Sequence, residues 1–220
     1  MEQNSLTSVI TMIEKQKRNK RRYNVHVNGE YTCSVHEDVL IKYRLLKGEQ
    51  VDAKWLEEAI REDERHDAYL RAVRFVAVRP RSQQEVRRKL KEIGYEDELI
   101  ELTITRLKDQ KYLDDAEFAK IWTEQRIQYQ RKGRNAVRYE LAQKGLSKDE
   151  ISKALSSVDE EEELEGAMIV GRKKWKTTSG ETIDRKRKTA SFLLRRGYTS
   201  SVTSQVVRTL SNEDFDIMDE

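Results

Sequence analysis

The chain has 220 residues, of which 38% are charged and 36% are hydrophobic, with a single proline and a single cysteine. This length fits one or two ordinary domains or a short repeat array, and the scarcity of proline favours helix. No apolar run approaches the roughly 20 residues that cross a bilayer, which excludes a membrane span. The lone Cys33 cannot form an internal disulfide, and the first residues lack the apolar core of a signal peptide, so we expect a cytoplasmic protein.

The net charge is only +3, but it is unevenly distributed along the chain. Residues 1–22 carry six Lys/Arg against two acids, and residues 164–212 carry eleven against three. The last eight residues, 213–220, carry five acids and no base. Such blocks are typical of a protein that contacts a polyanion, and the alternative is a solvated surface without a partner.

The N-terminal part reads as a short antiparallel meander. A β-prone run at residues 9–13 precedes two alternating segments at 23–27 and 30–35, which Asn28-Gly29 joins. Asn-Gly is typical of a type I′ hairpin turn, because both central residues of that turn need positive φ. An isolated hairpin is only marginally stable, so we expect it to pack on the helix that follows.

The alternation on the returning strand predicts that Tyr31, Cys33 and Val35 share one face. After this strand we expect a short helix that ends near Lys47-Gly48. Asp52 is then expected to cap a second helix, which leads into a very charged segment. That segment is either a continuous helix or a domain boundary.

A short sequence motif that ends in glycine recurs in the rest of the chain. A leucine precedes Gly94, Gly145 and Gly197 by four residues each time, and these glycines are 51 and 52 residues apart. Apolar residues also recur ten and thirteen positions after each glycine. A fixed period of this size is typical of a tandem array of one supersecondary unit. Each unit reads as three helices, and the glycine ends the middle one in a left-handed conformation.

Helix-start signals fall where this three-helix reading places them. Capping-box patterns begin at Ser82, Asp114 and Ser147, each with a glutamate three residues later. Pro80 ends the helix before the first of them, because proline lacks a backbone donor and restricts the residue before it.

We therefore predict a mainly α fold: a tandem array of three three-helix repeats, preceded by a small N-terminal β-hairpin or meander plus helices. In chain order, the predicted N-terminal extension, three repeats and acidic tail cover residues 1–66, 67–115, 116–163, 164–212 and 213–220.

No residue pattern predicts catalysis, a metal site or a cofactor. His26, His36 and His66 are interpreted as surface or edge-strand histidines, and with a single cysteine no zinc motif can be assembled from their spacing. The acidic pair Asp114-Asp115 is explained by helix capping. The spacing of a phosphate loop and that of a nucleophile elbow are both missing from the sequence, so we expect a protein that is not an enzyme.

The positive signal is basic charge on or just before the middle helix of each unit. Recurrent charge at one place in a repeat could build a stripe that contacts DNA phosphates or an acidic protein. Tyr95 and Tyr198 directly follow two of the glycines, and a helix-stop contact is favoured over base stacking for both. The candidate binding residues are Arg79, Arg81, Arg87, Arg88, Lys91, Arg131, Lys132, Arg134, Arg138, Arg185, Lys186, Arg187, Lys188, Arg195 and Arg196.

Three further motifs stand out in the repeats: Arg79-Pro-Arg-Ser82, Tyr112-Leu-Asp-Asp115 with Phe118-Ala119, and Leu194-Arg-Arg-Gly-Tyr198. These motifs resemble those of the bacterial RecX family. The similarity covers residues 67–212, and the preceding part resembles the N-terminal extension of longer members. The resemblance implies a negative modulator of the RecA recombinase: a monomer that lies in the groove of the RecA–single-stranded-DNA filament. There it would restrain filament growth, ATP hydrolysis, strand exchange and co-protease activity.

The implied setting is DNA repair by homologous recombination and the SOS response. The implied partners are the RecA filament and single-stranded DNA, with double-stranded DNA left open as a further ligand. The residues themselves indicate only an extended basic helical array. They leave two alternatives: a sequence-tolerant duplex-DNA-binding protein in which one repeat acts as a helix-turn-helix, and a structural adaptor without nucleic acid.

Overall fold

Hydrophobic periodicity and glycine stops produce a mainly helical protein with a small N-terminal antiparallel sheet, as the sequence predicts. The computed structural model describes residues 8–218, with side chains described as far as residue 213. These residues divide into two compact units. The first unit comprises the residues up to Arg79 together with Val86–Tyr112, and the second comprises Pro80–Glu85 together with the residues from Leu113 onward.

The N-terminal sheet has the strand order β3-β2-β1-β4, and every neighbouring pair is antiparallel. Asn28 and Gly29 have φ values of 51° and 90°, so the predicted hairpin turn with two positive φ angles is confirmed. The short fourth strand was not anticipated. The strands are β1 Ser8–Lys15, β2 Arg22–Val27, β3 Glu30–His36 and β4 Gln50–Val51.

A β-bulge in β3 corrects the predicted face of Tyr31. The partners on β3 skip Thr32 at the point where its register against β2 shifts. Cys33 and Val35 are buried as expected, whereas Tyr31 is 59% exposed. The prediction that Tyr31 shares their face is wrong, because one inserted residue reverses the facing of the strand beyond it.

The helix after the sheet is shorter than expected. Helix α1 spans only Glu37–Lys42, whereas the sequence suggested an end near Gly48. Arg44 adopts a left-handed φ of 46°, and the next backbone N–H, of Leu45, donates to the carbonyl of Leu40 at 2.9 Å. These two features turn the chain out of the helix and bury the Leu45 side chain in the core beneath the sheet.

Helix α2, Ala53–Val78, runs without a break through the highly charged segment, so that segment is a continuous helix. The Asp52 carboxylate accepts the Trp55 backbone N–H at 2.6 Å, which confirms the predicted cap. The helix stops where Arg79 becomes extended before Pro80, as the steric effect of proline requires.

The first unit also contains helix α4, Asp97–Asp109, and most of helix α3, Gln83–Ile93. Helix α3 belongs to this unit from Val86 onward. Helices α2 and α4 pack together, and α2 also packs on β3. The core beneath the sheet is formed by Ile10, Val25, Cys33, Val35, Val39, Leu45, Val51 and Ala59.

The second unit contains six α-helices and one π-helical turn among its described residues. The turn, Gln125–Tyr129, continues α5 and was not anticipated from the sequence. Two apolar clusters fill the unit, one among α5–α7 and one among α8–α10. The helices are α5 Asp115–Glu124, α6 Arg134–Gln143, α7 Lys148–Ser156, α8 Glu160–Lys176, α9 Thr182–Arg195 and α10 Ser200–Met218. Helix α10 therefore enters the acidic segment 213–220, whose last two residues lie outside the described part.

The recurring glycines end the middle helices as predicted. Gly94, Gly145 and Gly197 have φ values of 105°, 83° and 88°. In each case the residue after the glycine donates its backbone N–H to the carbonyl of the recurring leucine, at 3.2–3.3 Å. All three leucines are at most 1% exposed. The same helix stop with the same buried anchor is therefore built three times, which explains the sequence period.

Two of the predicted capping boxes are reciprocal. Ser82 and Glu85 each bond to the other's backbone N–H at 3.2 Å. Ser147 and Glu150 do the same at 3.3 and 2.8 Å. Asp114 is confirmed as a cap, because its carboxylate accepts the N–H groups two and three residues further on. The acidic pair that contains it thus has a structural role.

Candidate functional site

The fifteen predicted basic residues separate into those that the fold uses internally and those that reach solvent. Lys132 belongs to the first group. Its Nζ lies 2.6 Å from Glu140, whose carboxylate also accepts Arg126 Nε at 2.8 Å and Trp122 Nε1 at 3.0 Å. Burial would raise the pKa of Glu140, but the hydrogen bonds from Lys132, Arg126 and Trp122 outweigh it and the pKa lies below its usual value.

Arg134 and Arg81 are likewise held inside the second unit. Arg134 lies 2.9 Å from the buried carboxylate of Glu163, and its guanidinium also donates to the carbonyl of Val158. Arg81 is mostly buried beside Glu85, at 3.7 Å. These two cations stabilise the fold and are poorly placed to meet an external partner.

Arg131 and Arg196 meet at a junction between the second and third repeats. The Arg196 guanidinium donates to the backbone carbonyls of Gln130 and Arg131. The Tyr198 hydroxyl donates to the same Arg131 carbonyl at 2.7 Å. Burial raises the pKa of Tyr198 to about 12. Tyr198 is therefore a buried helix-stop residue and not a stacking platform, as the sequence favoured.

Two candidates in the first unit form exposed ion pairs. Arg87 makes a two-point contact with Glu101, with its Nε at 2.6 Å. Lys91 pairs with Asp97 at 3.0 Å. Solvated pairs of this kind are weak, so both cations remain able to exchange their partner for an external anion.

Arg185 starts the basic run of α9 but packs against the protein. Its guanidinium lies 4.5 Å from the centre of the Trp175 ring, a cation–π arrangement. Arg187 is three-quarters exposed and contacts Asp184 of its own helix at 3.2 Å. Arg79 is exposed at the end of α2.

Most of the remaining candidates are exposed to solvent. Lys188 and Arg195 are exposed and lie seven residues apart, two turns along one face of α9. Arg88 and Arg195 form no side-chain hydrogen bond or ion pair within the described part of the chain. The half-buried Lys186 side chain and Arg131 guanidinium form none there either. The exposed basic surface, as the name is used below, belongs to the second unit and consists of Arg138, Arg187, Lys188 and Arg195; Arg88 is an exposed cation of the first unit.

Helix α9 has the most one-sided charge of the three middle helices. It contains five Lys/Arg and a single acid, Asp184. That acid can neutralise only one of the cations, so the helix presents a net positive face. Such a face attracts phosphates or carboxylates over about a Debye length, roughly 8 Å at physiological salt.

Two exposed tyrosines of the second repeat were missed in the sequence. Tyr139 is 66% exposed on α6, directly after Arg138, and Tyr129 is 78% exposed at the end of the π-helical turn. An exposed aromatic ring beside a cation is the combination that stacks on single-stranded bases. The sequence signal was the Arg138-Tyr139 neighbour pair, but only the burial pattern of the folded chain distinguishes Tyr139 from a core tyrosine.

The histidine interpretation also needs correction. His36, at the end of β3, and His66, on α2, have ring centres 4.6 Å apart, with the carboxylate of Asp38 beside both. The sequence interpreted them as surface or edge-strand histidines; His36 does lie on the edge strand β3, but it is buried, and His66 is half-buried. No spacing rule reveals the cluster, because its members come from three different elements.

Among residues 8–218, no helix is both long and apolar enough to span a membrane. The fold and its basic surface define a protein of tandem three-helix domains with a small N-terminal sheet domain. Models of four RecX domains match the chain in the same order. The Regulatory protein RecX N-terminal domain matches residues 8–52, and the first, second and third RecX three-helix domains match 68–107, 114–155 and 160–207.

Relatives that carry the name Regulatory protein RecX match nearly the whole chain. The protein of Halalkalibacterium halodurans is 37% identical over 90% of this chain and 76% of its own length. That of Clostridium tetani is 32% identical over 97% of this chain and 100% of its own length. The chain belongs to the RecX family of regulatory proteins.

Two solved structures agree with this assignment. A crystal structure of regulatory protein RecX superimposes with a TM-score of 0.73 at 31% identity, covering 90% of this chain and 98% of that one. The structure of RecX from Lactobacillus salivarius gives a TM-score of 0.64 over 68% of this chain and 97% of that one. At 19% identity the second comparison supports the fold alone.

Proposed function

We propose that this chain is a cytoplasmic, monomeric negative modulator of the RecA recombinase. It would bind the RecA–single-stranded-DNA filament in its groove and restrain filament growth, ATP hydrolysis and strand exchange, acting by binding and not by catalysis. Membership of the RecX family supports the regulatory role. The observation that carries the mode of binding is the exposed basic surface, whose cations the fold leaves largely without internal acidic partners.

The proposed mechanism is multivalent. Each repeat would offer a few solvated cations, and several weak contacts on one filament raise the overall affinity through effective concentration. Lys188 and Arg195 on α9 and Arg138 on α6 would meet phosphates or acidic side chains. Such contacts weaken steeply with salt, because each neutralised phosphate releases a counterion.

The experiment measures DNA-dependent ATP hydrolysis by RecA on preformed single-stranded-DNA filaments, titrated with this protein at two salt concentrations. The test variant is Arg187→Glu with Arg195→Glu. The matched control is Lys148→Glu with Lys153→Glu, which makes the same charge change at exposed positions of α7 outside the basic surface. We expect inhibition by the wild type and the control at well below one copy per RecA, and reduced inhibition by the test variant with unchanged helicity.

Full inhibition by the test variant would remove the third repeat's basic face from the proposal. If hydrolysis is untouched while the protein still retards bare DNA, the RecA proposal fails and the alternative, sequence-tolerant duplex-DNA binding, takes its place. Partner binding that is insensitive to salt would instead indicate an adaptor without a nucleic-acid role.

A further inference from the structure

The cluster of His36, Asp38 and His66 lies within the first unit, at the corner where β3, α1 and α2 meet. Their potential ligand atoms all lie within 4.8 Å of one another. His36 Nδ1 is 3.4 Å and His66 Nε2 is 3.2 Å from the same oxygen, Asp38 Oδ2. The two imidazoles therefore each place a ring nitrogen near the same carboxylate oxygen.

These separations match those between ligands of one metal ion. Zinc binds imidazole nitrogen and carboxylate oxygen at about 2.1 Å in a tetrahedral arrangement, which places neighbouring ligand atoms about 3.4 Å apart. Both measured contacts to Asp38 fall within about 0.2 Å of that value. The ligand nitrogens of His36 and His66 lie within 4.8 Å of each other, so only small side-chain movements would bring them to the same separation.

The hydrogen bonding of the two ring nitrogens leaves room for a further partner. His66 Nε2 is buried and makes no hydrogen bond, although Asp38 Oδ2 lies close by. Such an orphaned polar atom calls for a partner. His36 Nδ1 accepts the backbone N–H of Asp38 at a long 3.3 Å, and a metal ion would replace this weak hydrogen bond.

The surrounding structure holds the ligands in place. The backbone N–H of His36 donates to the Asp63 carboxylate at 2.6 Å, and Asp63 lies one turn before His66 on α2. The side chain of Asp38, by contrast, is 61% exposed. The corner thus combines two fixed, largely buried nitrogens with one carboxylate at the solvent boundary.

We propose that His36, Asp38 and His66 form a binding site for a divalent transition-metal ion of the zinc class. Imidazole nitrogens with one carboxylate suit such ions better than Mg²⁺ or Ca²⁺, which prefer oxygen ligands. With three protein ligands, the fourth position faces solvent and takes water or a group from a partner. The bound ion ties β3 and α1 to α2 and stabilises the first unit.

The test uses the full chain without an affinity tag, freed of metal by a chelator and then titrated with Zn²⁺ by calorimetry and with Co²⁺ by absorption. Asp38→Ala changes an exposed side chain and leaves the fold intact, while His66→Ala removes the second ligand. The matched control is His26→Ala, which changes the remaining histidine, on β2 beside Tyr31. Cys33→Ser is a second control, which excludes the thiol as a ligand.

We expect one Zn²⁺ per chain in the wild type and both controls. Asp38→Ala and His66→Ala each remove a metal ligand and should lower the affinity for Zn²⁺ by at least about 100-fold. Removal of a residue that only supports a ligand already costs up to about 100-fold. Zinc at 100 times its dissociation constant should raise the wild-type Tm by about 5 °C and leave that of Asp38→Ala unchanged. A wild type without saturable binding, or unchanged affinity in folded Asp38→Ala, overturns the proposal.

Discussion

Gly133 and Gly197, which come from different repeats, touch through their backbones. A β-carbon built on Gly133 would overlap the Gly197 carbonyl and the next backbone nitrogen, and one on Gly197 would overlap Ala136. Backbone hydrogen bonds of 3.0 Å run from Gly133 N–H to the Arg196 carbonyl and from Asn135 N–H to the Gly197 carbonyl. The turn before α6 is therefore docked directly on the end of α9.

Gly133→Ala should destabilise the second unit by about 3 kcal/mol, the upper end of the usual cost of overpacking, because the added methyl group meets rigid backbone on the other side of the junction. Gly133 has no positive φ, so alanine fits its local backbone and the loss reports the contact alone. Urea denaturation measures it. The matched control is Gly94→Ala, where the β-carbon enters open space and only the positive φ is penalised, by about 1–2 kcal/mol. Equal losses in the two variants would contradict the docking.

Asp63 should be the most sensitive charged residue of the first unit. Its carboxylate pairs with Arg22 at 2.6 Å and accepts the His36 backbone N–H, and its side chain is only 10% exposed. Asp63→Ala leaves the His36 N–H without its acceptor and the Arg22 guanidinium without its counter-charge, with only Ser34 as a remaining partner, and should lower the free energy of unfolding by about 3–5 kcal/mol. Glu58→Ala on the same helix breaks only an exposed pair with Arg65 and should cost less than about 1 kcal/mol. Thermal denaturation distinguishes them, and a loss below 1 kcal/mol in Asp63→Ala would refute this role.

The Cys33 thiol should be chemically inert in the native protein. Burial, with the nearby Asp63 carboxylate, raises its pKa from 9.0 to about 11, against a smaller opposing effect of Arg22. Reaction with a disulfide reagent at pH 8 should be slow in the folded chain and complete in denaturant, because the thiolate is the nucleophile.

The same shift predicts a pH dependence of stability. The raised pKa means that Cys33 contributes stability below pH 9, and that this contribution is lost as the pH rises toward 11, where the unfolded chain ionises first. The difference in unfolding free energy between the wild type and Cys33→Ala should therefore fall across this range. Rapid labelling of the folded chain at pH 8 would contradict the burial.

The sequence predicted the elements that rest on local signals. Three helix stops, three caps and the Asn28-Gly29 turn depend on residues within one turn of each other, and all are confirmed. The bulge at Thr32 and the early end of α1 were missed, because each is decided by pairing or packing with a distant segment.

The candidate site likewise has features that the local sequence reveals and features that depend on distant contacts. Basic charge on the middle helices was visible in the sequence, but its internal use was not. In the sequence, Lys132 and Arg134 cannot be distinguished from the exposed cations of α9. In the fold, Glu140 neutralises Lys132 and Glu163 neutralises Arg134. Those acids lie 8 and 29 residues away from their cations, so only the folded chain reveals the pairs. The cluster of His36, Asp38 and His66 was hidden for the same reason.

Glu140 should stabilise the second repeat above its pKa and not below it. Its pKa is lowered, so the carboxylate contributes stability above pH 4.5 that is lost as the pH falls further. Glu140→Gln should be destabilised by about 2 kcal/mol at pH 7, the usual value of hydrogen bonds to a charged group, and by less at pH 3. Glu101→Gln, which breaks the exposed pair with Arg87, should cost under about 1 kcal/mol. The same loss for Glu140→Gln at both pH values would contradict this assignment.

Tyr139 should contribute to binding single-stranded DNA without contributing to stability. Its ring is 66% exposed on α6, one residue after Arg138, so Tyr139→Ala removes a stacking surface and no core contact. We expect a loss of about 1–3 kcal/mol in affinity for an oligonucleotide, measured by fluorescence anisotropy, with an unchanged salt slope and Tm. Arg138→Gln should instead lower the slope of log affinity against log salt by about 1, because one phosphate contact is lost.

The control is Tyr31→Ala, which removes a similarly exposed ring from the N-terminal sheet, outside the basic surface. It should bind as the wild type does, because no middle-helix cation lies next to it in sequence. If Tyr31→Ala and Tyr139→Ala weaken binding equally, exposed aromatic area alone and not the Arg138–Tyr139 pair accounts for the affinity. If Tyr139→Ala binds as the wild type, the contact to DNA is purely electrostatic, and the steep salt dependence should then account for the whole of it.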